Sequence, residues 1–262
     1  MIQYNYHTHT KRCGHATGED EEYIQFALKN GIKEIGFTDH ISHVDFQQNE
    51  DYLQTFQSLK EKYKEKINIL IGFECEYVEN MLPYYQSLIE NKKVDYLIFG
   101  NHFAYIDHQR YDFATPITNK KYLDYYYETL KKGLETGLFR YICHPDCFLK
   151  GYQKWDEHTI ELTHKIGALL SQYDCYVELS GSGCRSRSYI EYQNKKVPPY
   201  PFKEFYQILK QYPLRFVLGA DAHAPNQLND FATEYIENMA KELELNLIKK
   251  PQLTQRSVKK NG

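Results

Sequence analysis

Short runs of apolar, β-branched and aromatic residues alternate along this chain with longer segments in which apolar residues recur at helical spacing. Runs of this length and composition are typical of strands buried in a parallel sheet. Seven such strands are predicted, at residues 2–7, 34–38, 67–73, 96–100, 140–143, 176–180 and 215–219.

The segments between these strands have the pattern of amphipathic helices, as at residues 23–30 and 122–134. Gly31 and Gly137 follow those two segments, and glycine commonly ends a helix because it adopts the left-handed backbone conformation easily. Neither a Gly-rich dinucleotide-binding motif nor a linker rich in Ser, Gly or Pro interrupts the alternation. The pattern therefore predicts one α/β domain over residues 1–262, a (β/α) barrel of seven units, with a frayed tail at residues 257–262.

Each predicted strand leads into polar or ionisable residues. In chain order these are His7 and His9, Asp39 and His40, Glu74, His102, His144, Ser180 with Arg185 beyond it, and Asp221 and His223. In a (β/α) barrel the carboxyl ends of all the strands meet on one face, where barrel enzymes carry their active sites. We therefore expect these residues to converge on one pocket.

The strand-end residues have the chemistry of metal ligands. His7 and His9 are separated by one residue, so alternation along a strand points both imidazoles to the same side. Asp221 and His223 have the same spacing. Glu74 directly follows an apolar run, where an acid would be costly to bury unless a cation compensates its charge.

Nine residues with nitrogen or oxygen donors are candidate ligands: His7, His9, His15, His40, Glu74, His102, His144, Asp221 and His223. A catalytic metal uses about three or four protein ligands and keeps a position open, so nine donors exceed the needs of one ion. They suffice for two or three ions if a carboxylate such as Glu74 is shared. Imidazole and carboxylate ligands suit zinc, manganese or iron. The six cysteines form no CxxC pair, which predicts neither a zinc ribbon nor a disulfide framework.

Composition narrows the classes of function. The 32 Lys+Arg and 35 Asp+Glu give a formal charge of −3, and this balance argues against a nucleic-acid-binding surface. The 42 % of hydrophobic residues can form a substantial core. No apolar run approaches the roughly 18–20 residues of a membrane span, and the first residues lack the apolar stretch of a signal peptide. We expect a soluble, cytoplasmic protein that binds neither nucleic acid nor membrane, in an oligomeric state that the sequence leaves open.

Seven motifs together resemble those of the polymerase-and-histidinol-phosphatase (PHP) family. They are HTHT at 7–10, FTDH at 37–40, GFECEY at 72–77, GNH at 100–102, CHPD at 143–146, ELSGSGCR at 178–185 and LGADAH at 218–223. Within that family the chain most resembles the stand-alone histidinol-phosphate phosphatases. The resemblance implies a distorted (β/α)7 barrel with a trinuclear metal centre, and hydrolysis of the small-molecule phosphate monoester L-histidinol phosphate in histidine biosynthesis.

The resemblance also implies which residues hold three divalent ions per chain. The first ion would be held by His7, His9, Glu74 and Asp221, the second by Glu74, His102 and His144, and the third by His15, His40 and His223. Glu74 would be shared between the first two ions. Two positions depart from the phosphatase pattern: Ser180 replaces an expected asparagine, and Glu76 replaces an expected aspartate.

Candidate substrate contacts follow from the resemblance and from position. Arg185 lies where the phosphatase branch has its phosphate-binding arginine, and Lys150 lies where that branch often has a cation. Ser182, between two glycines, is expected to contact phosphate or form a turn rather than act as a nucleophile. Histidinol phosphate carries an ammonium and an imidazole, so acids and an aromatic ring should complete the pocket. Candidates for that part, unless they are ordinary loop residues, are Asp45, Phe46, Glu76 and Tyr77.

The predicted reaction is attack on phosphorus by a hydroxide that bridges two ions, while the ions and Arg185 neutralise the phosphate oxygens. Asp221 or His223 could deliver a proton to the leaving group, although a nitrogen bound to metal is a poor acid, which favours metal binding for His223. Three alternatives are open: a PHP-type phosphoesterase acting on phosphotyrosine or nucleotides, an amidohydrolase, which also begins with HxH, and a non-catalytic PHP module.

Overall fold

The computed structural model describes residues 2–41, 46–116, 119–254 and 259, without the side chains of residues 46 and 47. The strands in these ranges are β1 (Tyr4–Asn5), β2 (Glu34–Phe37), β3 (His40–Ile41), β4 (Asn68–Cys75), β5 (Tyr96–Phe99), β6 (Phe103–Ile106), β7 (Gln109–Asp112), β8 (Tyr141–Ile142), β9 (Tyr176–Ser180), β10 (Ile190–Tyr192), β11 (Lys195–Val197) and β12 (Phe216–Gly219). The α-helices are α1 (Asp20–Lys29), α2 (Phe46–Tyr63), α3 (Leu82–Glu90), α4 (Lys121–Glu135), α5 (Leu149–Tyr152), α6 (Glu157–Leu170), α7 (Ser182–Arg185), α8 (Lys203–Leu209) and α9 (Phe231–Glu242). Short 3₁₀ helices cover Lys11–Cys13, Glu79–Met81 and Pro225–Leu228.

Parallel strands form the barrel. They pair in the order β1-β2-β4-β5-β8-β9-β12, and every pair along this path is parallel. Thr8, after β1, and Ala222, after β12, form one further parallel bridge. In that bridge the amide of His9 donates to the carbonyl of Ala222 at 2.8 Å. The sheet is therefore nearly closed, which confirms the predicted distorted (β/α)7 barrel.

The sequence pattern missed several short strands. His40 lies on β3, a separate two-residue strand that pairs with β4, rather than directly after β2. The antiparallel hairpins β6–β7 and β10–β11 lie outside the barrel sheet. Most of their side chains are half-buried or exposed, so they lack the continuous apolar run that predicted the barrel strands. Of the predicted frayed tail, only Lys259 lies within the described residues, where it forms an isolated bridge with Tyr173.

The helices predicted around residues 23–30 and 122–134 are α1 and α4. Each is followed within two residues by a glycine with φ of +69°, Gly31 and Gly137. These glycines end their helices as predicted, because they adopt the left-handed conformation, which is strained for other residues. Along the described part of the chain, no helix is both long and apolar enough to traverse a bilayer.

Tyrosines fill the barrel interior below the carboxyl ends of the strands. Tyr6, Tyr96, Tyr141 and Tyr176 are buried there together. The hydroxyl of Tyr96 donates to the carbonyl of Tyr6 at 2.7 Å. A side chain at Gly36 would collide with the Tyr96 ring, so glycine makes this packing possible. The interior of the barrel is thus a packed core.

Candidate active site

A cavity of about 650 Å³ opens at the carboxyl ends of the barrel strands. Many of the residues singled out by the sequence contribute to its wall: His15, His40, Glu74, Glu76, His102, His144, Lys150, Ser182, Arg185, Asp221 and His223. His7 and His9 lie against Glu74 and Asp221 at the cavity floor and are fully buried. The strand ends therefore converge on one pocket, as their position along the strands predicted.

Four donor atoms meet at the cavity floor. They are Nε2 of His7, Nε2 of His9, Oε2 of Glu74 and Oδ1 of Asp221. The two nitrogens are 3.0 Å apart, the glutamate oxygen is 3.3 Å from both, and the aspartate oxygen is 3.6 Å and 3.4 Å from them. Two ligands on one tetrahedral zinc ion, at bonds of about 2.0–2.1 Å, stand about 3.3 Å apart. The spacing of these atoms therefore fits a single divalent cation.

The other oxygen of Glu74 faces a second group of donors. Oε1 lies 3.0 Å from Nε2 of His144 and 3.6 Å from Nε2 of His102. The thiol of Cys143 donates to the same oxygen at 3.1 Å. One carboxylate thus contacts two ligand groups through its two oxygens, which is the arrangement required of a shared ligand.

A third group of donors lies nearer the cavity mouth. Donor atoms of His15, His40 and His223 lie within 4.8 Å of one another. Nδ1 of His15 donates to the carbonyl of Cys13 at 3.0 Å, which leaves its Nε2 as the lone-pair donor. Nε2 of His223 is buried and has no hydrogen-bond partner among the described residues. His40 also contacts the first group, since its Nδ1 is 3.1 Å from Oε2 of Glu74.

The buried acids and imidazoles of the site shift one another's pKa values. Burial would raise the pKa of Glu74 and of Asp221, but the surrounding histidines lower both pKa values well below the ordinary range. Burial would lower the pKa of His7, yet the neighbouring carboxylates raise it well above its ordinary value. Burial lowers the pKa of His223 to about 3, so its imidazole is neutral. Divalent metals bind ionised acids and neutral imidazoles, so a metal ion would displace the proton that the carboxylates hold on His7.

Two candidate ligands have a left-handed backbone. His144 has φ of +30° and Asp221 has φ of +46°. For residues other than glycine such conformations cost on the order of 1–3 kcal/mol and persist only where the surroundings hold them. These two strained residues follow β8 and β12, where their side chains turn into the cavity.

Glu76 is placed differently from the expectation that it contacts only substrate. Its Oε1 accepts a hydrogen bond from Nδ1 of His102 at 3.1 Å, so it orients a candidate ligand. The side chain is buried at the cavity wall, and burial raises its pKa. Its Oε2 has no hydrogen-bond partner among the described residues. Glu76 is thus positioned both to hold His102 and to face a substrate.

Tyr77 is not brought to the cavity. Side chains alternate along the extended chain, so Glu74 and Glu76 turn inward while Cys75 and Tyr77 face the outer core. The Tyr77 ring packs there with the ammonium of Lys132 at 5.7 Å from its centroid. Tyr77 therefore does not line the cavity, and its substrate contact stays a prediction. Asp45 lies outside the described residues, as does the side chain of Phe46.

Arg185 and Lys150 both line the cavity, but they differ in their hydrogen-bond and ion-pair partners. The guanidinium of Arg185 is held by Asp230 and by the carbonyls of Ala220 and Gln227. The ammonium of Lys150 forms no ion pair within the described ranges. Lys150 thus lines the cavity without an ion-pair partner in those ranges, whereas Arg185 is engaged by Asp230. Arg110, which is also in the lining, lies 3.7 Å from Asp112.

The serines of the β9 turn support the cavity wall. The hydroxyl of Ser180 donates to Oδ2 of Asp221 at 3.1 Å, and the amide of Ser182 donates to the Ser180 hydroxyl at 3.2 Å. Serine in place of the expected asparagine thus still contacts a candidate ligand. Ser182 itself lines the cavity.

Sequence reasoning missed Glu178, which accepts hydrogen bonds beneath the ligand cluster from Nδ1 of His7 and the amide of His144. A signal was present, since Glu178 interrupts the apolar run of predicted strand 176–180. An acid buried in a strand needs a compensating partner, and the same argument identified Glu74.

Comparison with known proteins gives consistent matches. Residues 5–182 match the family model described as the PHP domain. A probable histidinol-phosphatase of Deinococcus radiodurans is 23 % identical over 239 residues, which cover 85 % of this chain and 86 % of that protein. A probable histidinol-phosphatase of Schizosaccharomyces pombe is 23 % identical over 256 residues, which cover 85 % of this chain and 81 % of that protein.

The fold is also similar to that of a solved structure. The crystal structure of histidinol phosphate phosphatase from Lactococcus lactis, complexed with zinc, L-histidinol and phosphate, matches with a TM-score of 0.71. The match covers 94 % of this chain and 95 % of that chain, at 16 % sequence identity. The two chains therefore share the distorted barrel.

Proposed function

Because the chain belongs to the PHP domain family, we propose that it is a metal-dependent phosphate monoester hydrolase that converts L-histidinol phosphate to L-histidinol and phosphate. The observation that carries this proposal is Glu74, whose two oxygens lie within 3.0–3.6 Å of five imidazole nitrogens, those of His7, His9, His40, His102 and His144. The names of the two relatives and of the solved enzyme from Lactococcus lactis support the choice of substrate.

The three donor groups would hold three divalent ions, zinc, manganese or iron, with Glu74 shared between the first two. When bound, such ions supply positive charge for a phosphate dianion and a nucleophile that is active near neutral pH. The residues fit this role, since the four atoms at the cavity floor have the spacing of one coordination shell and Nε2 of His223 is buried without a partner among the described residues.

Lys150 and Ser182 would bind the phosphate oxygens. Both line the cavity beside the ligand cluster, and the Lys150 ammonium has no ion-pair partner among the described residues. Arg185 adds positive charge to the same wall, although Asp230 offsets part of it. Hydrogen bonds from a charged donor to an anion contribute about 1.5–3 kcal/mol each.

Asp221 and His223 act as ligands rather than as proton donors. The lowered pKa of Asp221 keeps its carboxylate ionised at neutral pH. His223 is neutral, and its Nδ1 donates to the carbonyl of Asp221 at 3.2 Å, which leaves a lone pair on Nε2. Neither group holds an acidic proton to give to a leaving alkoxide.

One part of the cavity wall can contact a cationic, aromatic leaving group. Glu76 and Asp112 supply carboxylates to it, and Phe103 and Phe113 supply aromatic rings. Arg110 belongs to the same lining, with its guanidinium 4.1 Å from the centroid of the Phe103 ring and 3.7 Å from the carboxylate of Asp112, so it offsets part of the charge of Asp112. The Glu76 carboxylate can accept from an ammonium and the Phe113 ring can pack against an imidazole, which supports histidinol phosphate over the alternative phosphotyrosine and nucleotide substrates.

The test is phosphate release combined with metal analysis of protein purified without chelator. We expect three ions per chain at saturation and a kcat/KM for L-histidinol phosphate at least about a hundredfold above those for tyrosine phosphate and nucleoside monophosphates. Glu74→Gln should abolish both metal retention and activity. A flat substrate profile would instead support a general phosphoesterase, and metal-loaded protein without activity would support a non-catalytic module.

A further inference from the structure

A buried carboxylate lies directly beneath the ligand cluster. Glu178 occupies the middle of β9 and is fully buried. An ionised carboxylate in a protein interior costs several kcal/mol unless hydrogen bonds and opposite charge compensate it. The partners of Glu178 therefore indicate why an acid is placed here.

Each oxygen of Glu178 accepts hydrogen bonds. Oε1 accepts from Nδ1 of His7 at 2.9 Å and from the hydroxyl of Tyr141 at 2.7 Å. Oε2 accepts from the backbone amide of His144 at 3.0 Å and also lies 3.2 Å from Nδ1 of His7. Two of the three donors belong to candidate metal ligands, one on the chain after β1 and one after β8.

The surrounding structure leaves Glu178 no freedom to move. A β-carbon at Gly219, on the neighbouring strand β12, would overlap Oε1 of Glu178 and would lie 2.9 Å from the hydroxyl of Tyr141. Glycine at position 219 therefore provides the space for the carboxylate. With its neighbours on all sides, Glu178 presents its oxygens in one orientation.

The contact with His7 selects the tautomer of that ring. In the neutral ring the proton lies on Nδ1 and is donated to Glu178, so Nε2 is the nitrogen that offers its lone pair to a cation. That nitrogen lies 3.3 Å from Oε2 of Glu74 and 3.6 Å from Oδ1 of Asp221, within the first donor group. A ring with the opposite tautomer would present a proton to the cation and could not bind it.

The contact with His144 holds a strained backbone. His144 has φ of +30°, and its amide is fixed by Oε2 of Glu178 while its Nε2 lies 3.0 Å from Oε1 of Glu74. The hydrogen bond offsets part of the conformational cost of about 1–3 kcal/mol. His144 belongs to the second donor group, so Glu178 reaches both groups that share Glu74.

We propose that Glu178 is a positioning residue that sets the tautomer of His7 and the backbone conformation of His144. It thereby fixes the placement of the first and second donor groups relative to each other. This inference rests on the proposed metal centre. Carboxylates that orient ligating histidines typically change metal affinity 10- to 100-fold when removed. Glu178 differs from a purely structural acid because its loss should affect metal binding more than folding.

The experiment compares Glu178→Gln with Glu34→Gln. Glu34 is a matched control, since it is also buried and also accepts from a tyrosine hydroxyl, that of Tyr6 at 2.6 Å. Its other described hydrogen-bond and ion-pair partners are Asn68 and Lys250, which are not candidate ligands. Zinc affinity of the full chain is measured by competition with a chromophoric chelator, and unfolding is followed on the zinc-free proteins.

We expect Glu178→Gln to weaken zinc binding at least about tenfold, and Glu34→Gln to change it less than about twofold. An amide at position 178 has one acceptor oxygen in place of two, so its NH₂ faces either the amide of His144 or the side that His7 and Tyr141 contact, and the shorter contact with His7 or the contact with His144 is lost. Equal zinc affinity in the wild type and in Glu178→Gln would overturn the inference. Wild-type protein that binds no zinc would overturn the proposed metal centre, and the inference with it.

A second measurement is independent of the stability of the variant. Nitrogen-15 NMR of the zinc-loaded wild type should show the His7 ring protonated at Nδ1. A His7 ring whose Nδ1 carries no proton would overturn the proposed role of Glu178 even if the variant failed to fold.

Discussion

Arg185 and Asp230 form a two-point ion pair, with Nε 2.7 Å from Oδ2 and Nη2 2.9 Å from Oδ1. The remaining guanidinium donors reach the carbonyls of Ala220 and Gln227 at 2.7 Å and 2.8 Å. Asp230 also caps the N-terminus of α9. Arg185 therefore links the β9 turn both to the N-terminus of α9 and to the segment that carries Asp221. Few of its donors remain for phosphate.

The two members of this pair can be separated by mutation. Arg185→Ala and Asp230→Asn should each lower the free energy of unfolding by about 1–3 kcal/mol, because each leaves a partly buried charge without its partner. Asparagine preserves the helix cap. If Arg185 also contacts phosphate, only Arg185→Ala should raise KM for L-histidinol phosphate. An equal rise in KM for both variants would restrict Arg185 to positioning, and unchanged urea unfolding curves would contradict the stability prediction.

Lys150 should contribute more to substrate binding than to stability. Glutamine at position 150 keeps most of the side-chain length and removes the charge. We expect kcat/KM for L-histidinol phosphate to fall about 10- to 100-fold, the loss typical of one charge-assisted hydrogen bond, with little change in thermal unfolding. Lys154→Gln is the matched control, since Lys154 is exposed and does not line the cavity. Similar kinetics for the two variants would argue against a phosphate contact of Lys150.

Asp146 should make stability depend on pH. Burial raises the pKa of its carboxyl to about 7. Its Oδ2 accepts from the amide of Phe202 at 2.7 Å, and its Oδ1 lies 3.1 Å from the hydroxyl of Tyr206. That hydroxyl donates its own proton to the carbonyl of Glu178 at 2.6 Å. The hydrogen bonds from Phe202 and Tyr206 lower the pKa of Asp146, so burial is the cause that raises it and favours the neutral acid.

Between pH values of about 4 and 7 the folded state therefore binds more protons at Asp146 than the unfolded state does. The contribution of Asp146 to stability is present at low pH and is lost as the pH rises through 7. Asparagine cannot ionise and can form the same hydrogen bonds. We expect the stability of metal-free Asp146→Asn relative to wild type to increase by up to about 1.4 kcal/mol per pH unit across this window. Parallel urea-derived stability curves would contradict the prediction.

Gly219 should be intolerant of any side chain. Gly219→Ala would force a methyl group against the fixed carboxylate of Glu178, and we expect a loss of about 3 kcal/mol or more. Gly31→Ala is the control: no described atom lies within 4 Å of the position that its β-carbon would occupy, and its φ of +69° costs alanine only about 1–2 kcal/mol. Thermal unfolding of the two variants distinguishes them, and equal losses would show that Gly219 is not packed as described.

Much of the barrel was predictable because its strands are buried on both faces. Most of the seven strands appear as short runs rich in apolar residues, and β9 coincides with predicted strand 176–180. The hairpins β6–β7 and β10–β11 were not predicted, since most of their side chains are half-buried or exposed. The β6–β7 hairpin nevertheless supplies Phe103 and Asp112 to the cavity.

The sequence by itself determined where the barrel strands lie along the chain and which residues follow them. Buried strands need apolar residues, and the ability of a side chain to bind metal depends on its residue type. Only the tertiary structure decided which donors share Glu74, that Arg185 is held by Asp230, and that Tyr77 faces away from the cavity. These relationships depend on distances of a few ångströms between residues far apart in the chain. Such distances arise from the packing of whole strands and helices, which no local pattern encodes.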